Sequence, residues 1–425
     1  MSYNSDGEIE SFSNDLTENS TPSQFVILAT EDSTIVTILP KNETQYNSKN
    51  TQVITLNKGE AYLVQAKITR ANLKTDLTGS EVHSDKPVAV FAGHQRSALP
   101  NDSIYSNPSR DYLLEQMPPL ISWGQNALLI QFVQPESVTK VKNDLYRILA
   151  ANDNTELYIN DVQKTILNKG EFYEGELTET CYVWASAPIL VAQFKKTSNF
   201  SSQVSNFSSG DPFEMLISPV EHFINYYKVV NIQARQYSDS DIVYTQHYLT
   251  ILAENLSLST VKLDGNPVLP DSFKIIPASN YRYANVRVND GVHTISCDSN
   301  IGVYVYGYGE ANSYGYLGGM SMEPISLVGI KENEIDILID NLLFPNYPNP
   351  ASGMSKIKFS IAERGHVLLV IYDLLGNQRM IAINENMNPG IYEIDINTDK
   401  LEQGIYIYSL NTGRNAVSRL MIIRK

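Results

Sequence analysis

Ile148-Leu149-Ala150-Ala151-Asn152-Asp153-Asn154-Thr155, followed by Ile166-Leu167-Asn168-Lys169-Gly170-Glu171, is the stretch on which the fold turns. Short aliphatic, β-type runs alternate there with Asn, Asp and Gly, the residues that turn a chain between strands. A glycine in an Asn-x-Gly turn accepts the positive φ that such loops require. The pair is matched earlier by Ile27-Leu28-Ala29-Thr30-Glu31-Asp32-Ser33-Thr34 and Thr55-Leu56-Asn57-Lys58-Gly59-Glu60. Lys86-Pro87-Val88-Ala89-Val90-Phe91 likewise matches Ala187-Pro188-Ile189-Leu190-Val191-Ala192. Ile27 to Asn57 is 30 residues and Ile148 to Asn168 is 20; Asn57 to Pro87 is 30 and Asn168 to Pro188 is 20. The extra residues of the first copy belong in loops, which tolerate insertion.

A third, looser copy runs from Ile251-Leu252-Ala253-Glu254-Asn255 through Ile276-Pro277-Ala278-Ser279 to Ile301-Gly302-Val303-Tyr304-Val305-Tyr306. The three repeats fall at about 24–95, 145–197 and 247–320. Copies this far apart are longer than the roughly 20–50 residues of solenoid or propeller repeats, so tandem β-sandwich-like modules are expected, with a propeller-like closure as the alternative. Helical periodicity is scarce, and Asp111–Met117 is the best candidate for a helix. The fold class is all-β.

With 425 residues the chain is long enough for two to four domains. A hydrophobic content of 42% leaves no case for global disorder. The net charge of −15 disfavours a general nucleic-acid binder. No apolar run reaches the roughly 18–20 residues of a membrane-spanning helix. Two cysteines, Cys181 and Cys297, exclude a disulfide scaffold and a multi-cysteine zinc cluster. They hold equivalent places in separate modules, which predicts free buried thiols rather than a bridge.

Residues 1–20 are polar and acidic and read as a disordered arm, with no basic start and apolar stretch of a secretory signal. The Ser- and Asn-rich Ser198–Gly210 reads as a long exposed loop. A β region is expected over 21–328 and a linker over 329–343, ahead of the prolines around Tyr347-Pro348-Asn349-Pro350. Residues 341–425 carry nine Lys plus Arg and seven Asp plus Glu, net +2; the remaining 23 against 40 make residues 1–340 net −17. That shift marks a domain boundary.

Residues 344–425 hold about seven short strands, among them Ile357–Ile361, Val367–Tyr372, Ile391–Ile396 and Gly404–Leu410, the pattern of an immunoglobulin-like β-sandwich. Four ordered motifs stand in it: Tyr347-Pro348-Asn349-Pro350, Val370-Ile371-Tyr372-Asp373-Leu374-Leu375-Gly376-Asn377, Leu401-Glu402-Gln403-Gly404-Ile405-Tyr406, and Ser418 through Arg424-Lys425. Together they resemble the type A C-terminal sorting domain of the type IX secretion system of Bacteroidota. The resemblance implies export across the outer membrane, release or surface attachment, and the type IX machinery as a partner. It assigns the sorting motif to Pro348, Asn349, Pro350, Tyr372, Asp373, Gly376, Gly404, Tyr406, Arg424 and Lys425.

The repeats themselves resemble the N-terminal domain of the IgG Fc-binding protein family. The resemblance rests on Thr30–Thr34, Leu56–Glu60, Ser84–Phe91, Glu115-Gln116-Met117-Pro118-Pro119, Gly210-Asp211-Pro212-Phe213, Pro219-Val220-Glu221 and the run from Gly302 to Met320. It implies a binding module and transfers no ligand residue.

Chemistry-bearing patterns are sparse. The six histidines stand singly, and no nucleophile elbow or phosphate-binding loop occurs. His94, near Arg96 and Asp102, reads as a hydrogen-bonded rim histidine. Asn152-Asp153-Asn154 and Asp239-Ser240-Asp241 read as Asx turns rather than calcium loops. Tyr304, Tyr306 and Tyr308 suit an internal ladder, whereas Asp211, Tyr314 and Tyr316, the tyrosines set among glycines, are the ligand-binding candidates. No metal, cofactor or catalytic residue is expected. The reading is a non-enzymatic, exported or surface binding and adhesion protein for a glycoprotein, glycan, host protein or immunoglobulin. A secreted glycosidase or peptidase on a β scaffold, and a structural surface-layer component, are the alternatives.

Overall fold

The computed structural model describes the chain except residues 8–14, 17–19, 47–49, 101–109, 136–142, 198–209, 234–241, 311, 323–342, 344, 345, 347, 362, 363, 375, 389, 414, 415 and 425. Most of the Ser198–Gly210 loop, the Asp239–Asp241 turn, nearly all of the expected linker and Lys425 lie outside the described residues. Two compact units, Met1–Ile325 and Ser326–Lys425, make up an all-β protein.

Within the first unit the three repeats share one topology. Each opens with a strand flanked on both sides by antiparallel partners. Ser23–Ala29 pairs with Ala61–Gln65 and Val88–Ser97. Asp144–Ala150 pairs with Phe172–Leu177 and Cys181–Lys195, and Tyr244–Glu254 with Tyr281–Val288 and Gly291–Gly309. A closing strand then adds to the long partner: Asp111–Gln116, Phe213–Ile217 and Asn312–Leu317 in turn. Asp111–Gln116 is thus a strand where the periodicity pointed to a helix. Its pairing with Val88–Ser97 satisfies a backbone too short to hold a helix alone.

The repeated turns are equal bond for bond. Gly59 and Gly170 donate to Ala29 O and Ala150 O, and the Glu60 and Glu171 carboxylates accept from the Asn57 and Asn168 N–H groups. Asp32 and Asp153 accept from Lys58 N–H and Lys169 N–H. Asn152–Asn154 is accordingly a turn, with Asn154 at φ 56°.

The modules are fused rather than strung. Gly124–Leu129, which follows the first module, pairs with Cys181–Lys195 of the second; Ile224–Asn231 pairs in the same way with Gly291–Gly309 of the third. A three-residue turn, Leu120–Ser122 or Val220–His222, precedes each hand-over strand. Tyr304, Tyr306 and Tyr308 of the third module are buried in the core of the second, with Ile148, Val191 and Phe213. Tyr304 donates to Leu128 O at 2.8 Å, and the Tyr306 hydroxyl accepts from Val133 N–H at 3.1 Å. The ladder is therefore internal, and the two modules share one core.

Part of the supposed arm is ordered. Met1, Ser2, Tyr3 and Ser5 are buried. The buried Arg147 guanidinium explains it: it donates to Ser2 O, Asp76, Thr78 and Glu174, and it lies 4.3 Å from the Tyr3 ring centre and 4.4 Å from that of Phe172. A polar segment becomes worth ordering when it completes the shell of a buried cation.

The second unit packs a two-stranded sheet, Met354–Ile361 with Gly390–Asn397, against a four-stranded one. Strands Gln378–Met387, Gly365–Asp373, Gly404–Asn411 and Ala416–Ile423 form the latter in that spatial order. Phe359, Leu369, Tyr408 and Met421 lie in the core between them.

Candidate functional site

The binding candidates from the sequence sit at the seam of the second and third modules. Asp211 is buried; its N–H donates to Ser313 Oγ at 3.2 Å, and the Ser313 hydroxyl donates back to Asp211 O. Tyr314 is only 8% exposed, so it is no surface residue. Its hydroxyl accepts from Asn231 Nδ2 at 2.9 Å and bonds His247 Nδ1 at 2.9 Å, and its ring meets Tyr244 edge-on at 4.9 Å. Gly315 gives the cause: a Cβ there would stand 2.1 Å from Phe213, so only glycine lets the strand be drawn this far inward. Tyr316 is half-buried, and its hydroxyl accepts from Val230 N–H at 2.9 Å while donating to Val230 O at 2.6 Å. These tyrosines hold the sheet together at one strand edge.

His94 is buried, not on the rim, with Nδ1 accepting from Arg96 N–H at 3.0 Å. Burial pushes its imidazole down to about 4. Cys181 and Cys297 are free and buried, and burial pushes the Cys181 thiol up to about 12.

A cavity of about 100 Å³ opens where all three modules meet. Glu115 and Gln116 reach it from the first module, Trp123 and Asn126 from the hand-over segment, Leu216 from the second and Met320 from the third. Its walls are largely apolar, which suits an apolar side chain or a small uncharged group. The Trp123 indole is spent on Pro118 O at 3.1 Å, and Asn126 bridges Glu221 at 2.6 Å and the Tyr182 hydroxyl at 2.5 Å. Burial raises the Glu115 carboxyl to about 7, so that it can donate a hydrogen bond below that pH.

A second acid, Glu214, is fully sequestered, and neither carboxyl oxygen has a hydrogen-bond partner among the described residues. Burial raises it to about 8, against the pull of the amino-terminal ammonium and with a further push from Glu115. Glu214 does not line the cavity, so the two carboxyls do not face one substrate position as a glycosidase pair must. Sequence reasoning passed over Glu214 and Arg147. Their signal was a lone charge inside an apolar strand, Phe213-Glu214-Met215-Leu216-Ile217 and Leu145-Tyr146-Arg147-Ile148-Leu149.

In the second unit the residues that the sequence reading put in a sorting motif, Lys425 aside, fall at two places. Asn349, between Pro348 and Pro350, clasps the last strand: Nδ2 donates to Leu420 O at 3.2 Å and Oδ1 accepts from Ile422 N–H at 2.9 Å. The Arg424 N–H returns to Ala351 O at 2.9 Å, and Pro348 O accepts from Ser355 Oγ at 3.0 Å. At the second place Tyr372 pairs with Ile407 and Asp373 with Tyr406, two residues beyond Gly404. The Asp373 carboxylate accepts from Asn377 N–H at 2.9 Å and Arg379 at 2.7 Å, and Gly376 turns the chain at φ 83°.

A family model described as IgGFc binding protein matches residues 10–307, and one described as secretion system C-terminal sorting domain matches residues 346–424. The human protein named IgGFc-binding protein is 24% identical over 255 residues, 58% of this chain. The chain spans 4% of that relative's length. Among solved structures, latent PorU from Porphyromonas gingivalis aligns over 66% of this chain and 29% of its own, at 10% identity and a TM-score of 0.17. A β-glucuronidase from Faecalibacterium prausnitzii aligns over 95% and 47%, at 9% identity and a TM-score of 0.17. Scores that low carry no argument. The tail marks the chain for export, to the cell surface or beyond it. The chain belongs to the IgGFc-binding protein family over residues 10–307 and ends in a secretion-system C-terminal sorting domain over residues 346–424.

Proposed function

We propose that this exported chain is a passive binding and adhesion protein for a host glycoprotein, with immunoglobulin Fc as the first partner to test. The β region is the passenger, and the sandwich from residue 344 is its address for the type IX machinery. The family match over residues 10–307, shared with a human protein named for Fc binding, carries this reading. The junction cavity supports it: a mostly apolar recess edged by one carboxyl anchors a side chain better than it performs hydrolysis.

The test is surface plasmon resonance of the full chain against IgG, Fc, Fab, deglycosylated Fc and mucin, with a glycan array and a hydrolase panel in parallel. Saturable binding to Fc or mucin that weakens in a Met320→Lys variant is expected. Turnover of a panel substrate that vanishes in Glu115→Gln, with no binding to any partner, overturns the proposal.

A further inference from the structure

Ile27, Ile148 and Ile251 stand at matching places in the three opening strands and pair with Val90, Val191 and Val303. Seven residues before each of those valines stand His83, Trp184 and Ser296. These pair in turn with Thr37, Tyr158 and Lys262. One cross-strand position thus holds Thr and His in the first module, Tyr and Trp in the second, Lys and Ser in the third. The fold does not need aromatic residues there.

Tyr158 lies on the strand Thr155–Ile159 and Trp184 on Cys181–Lys195. Leu157, Ile159, Val183 and Ala185 beside them are buried in the core, so alternation turns the pair to the outer face, where both are part-exposed. Their rings stack with centres 3.9 Å apart and planes 1° from parallel. A stack covers one face of each ring, and among the described residues no other ring or guanidinium packs on either.

Both polar hydrogens of the pair end on carboxylates. The Tyr158 hydroxyl donates to Glu156 Oε2 at 2.7 Å, and Trp184 Nε1 donates to Asp161 Oδ1 at 3.2 Å. On the next strand Asn126 holds the position opposite Trp184, and its Nδ2 donates to Glu221 Oε1 at 2.6 Å. Among the described residues no Lys or Arg pairs with Glu156, Asp161 or Glu221. A phenol or indole that donates to a carboxylate gains electron density, which deepens the negative ring face that attracts a cation. Arginine suits such a place better than lysine, because its planar guanidinium stacks on an indole while its fork reaches carboxylate oxygens. The net −17 of residues 1–340 draws a basic partner in.

We propose that the Trp184–Tyr158 face is a docking site for an arginine side chain on a basic segment of the partner protein, with Glu156, Asp161 and Glu221 as its counter-charges. The proposal rests on the reading of this chain as a binding protein, but neither on the junction cavity nor on Fc.

Isothermal titration calorimetry of the full chain with the peptide acetyl-Gly-Arg-Gly-Arg-Gly-amide at physiological salt tests it. The same peptide carrying neutral citrulline, and chitohexaose, are titrated beside it. Saturable binding of the arginine peptide is expected, about tenfold weaker in Trp184→Ala and lost with citrulline. Trp184→Ala keeps the net charge, so undiminished affinity there would reduce the binding to bulk attraction and overturn the proposal. If that variant fails to fold, Tyr158→Thr with Trp184→His gives the same reading, since the first module folds with that pair at this position. Chitohexaose bound through Trp184, with no response to the peptide, makes the face a sugar site and likewise overturns the proposal. A chain that captures Fc yet ignores the peptide defeats this inference alone. One that binds the peptide through Trp184 but no glycoprotein supports it while the Fc reading falls.

Discussion

Tyr316 shows how much one phenol does at a sheet edge. Val230 lies on Ile224–Asn231, whose main-chain partner is Gly291–Gly309, and the Tyr316 hydroxyl satisfies both the N–H and the C=O of Val230. An edge so closed offers no template for another chain. Tyr316→Phe should cost about 1 kcal/mol, because water replaces part of what is lost at this exposed strand. Urea unfolding reads the cost, and hydrogen exchange at the Val230 amide should accelerate. Tyrosine among glycines looked like contact surface, yet each hydroxyl is taken up within the protein, that of Tyr314 by Asn231 and His247 and that of Tyr316 by Val230. A linear sequence shows that a tyrosine carries a polar tip but not where an unpaired backbone group waits for it.

At the scale of the element, two turn glycines of the first module invite a paired experiment. Gly59 has φ 82° and open space where a Cβ would go. Gly59→Ala should therefore cost only the left-handed conformation, about 1 kcal/mol. Gly79 has φ 87°, and a Cβ there would sit 2.1 Å from Gly170 O, because the first module rests backbone-to-backbone on the second module's turn. Gly79→Ala adds that overlap to the conformational strain and should cost about 3 kcal/mol. Thermal unfolding of the two variants reads the difference, and equal losses would show that the contact does not bear load. Much of this level was legible beforehand. Asn-Lys-Gly-Glu, twice, encoded a turn and part of its hydrogen bonding, since the Glu carboxylate reaches back three residues to the Asn N–H and the Lys N–H meets the Asp of the matching turn. The strand Asp111–Gln116 was not legible, because a six-residue piece takes its conformation from the partner it joins. The cavity was hidden for the same reason, being made by residues far apart in the chain.

The whole first unit carries its acidity in two forms, a solvated surface and a few sealed carboxyls. Glu214 and Glu115 hold their protons up to about 8 and about 7 when folded, whereas their ordinary value is 4.5. The folded state thus binds more protons than the unfolded one between about pH 4.5 and 8, and stability must fall as pH rises through that window. His94 acts the other way: its folded value near 4 lies below its ordinary 6.5, so stability is lost as pH falls through that range. Two acids outweigh one imidazole above about pH 4.5, so stability declines from there toward pH 8. Glu214→Gln should stabilise the chain at pH 8 more than at pH 5, as urea midpoints at the two values will show. A parallel shift at both would refute a buried neutral Glu214.

Three copies in the text of the chain invite the image of beads, each removable at will. The tyrosines that cross from the third copy into the second forbid that for the last two. Trimming the protein between them would bare a greasy wall on each fragment, so a shortened immunogen or crystallisation target must keep both. Pulled from its ends, as a tether on a cell would be, the pair should give way in a single rip rather than two.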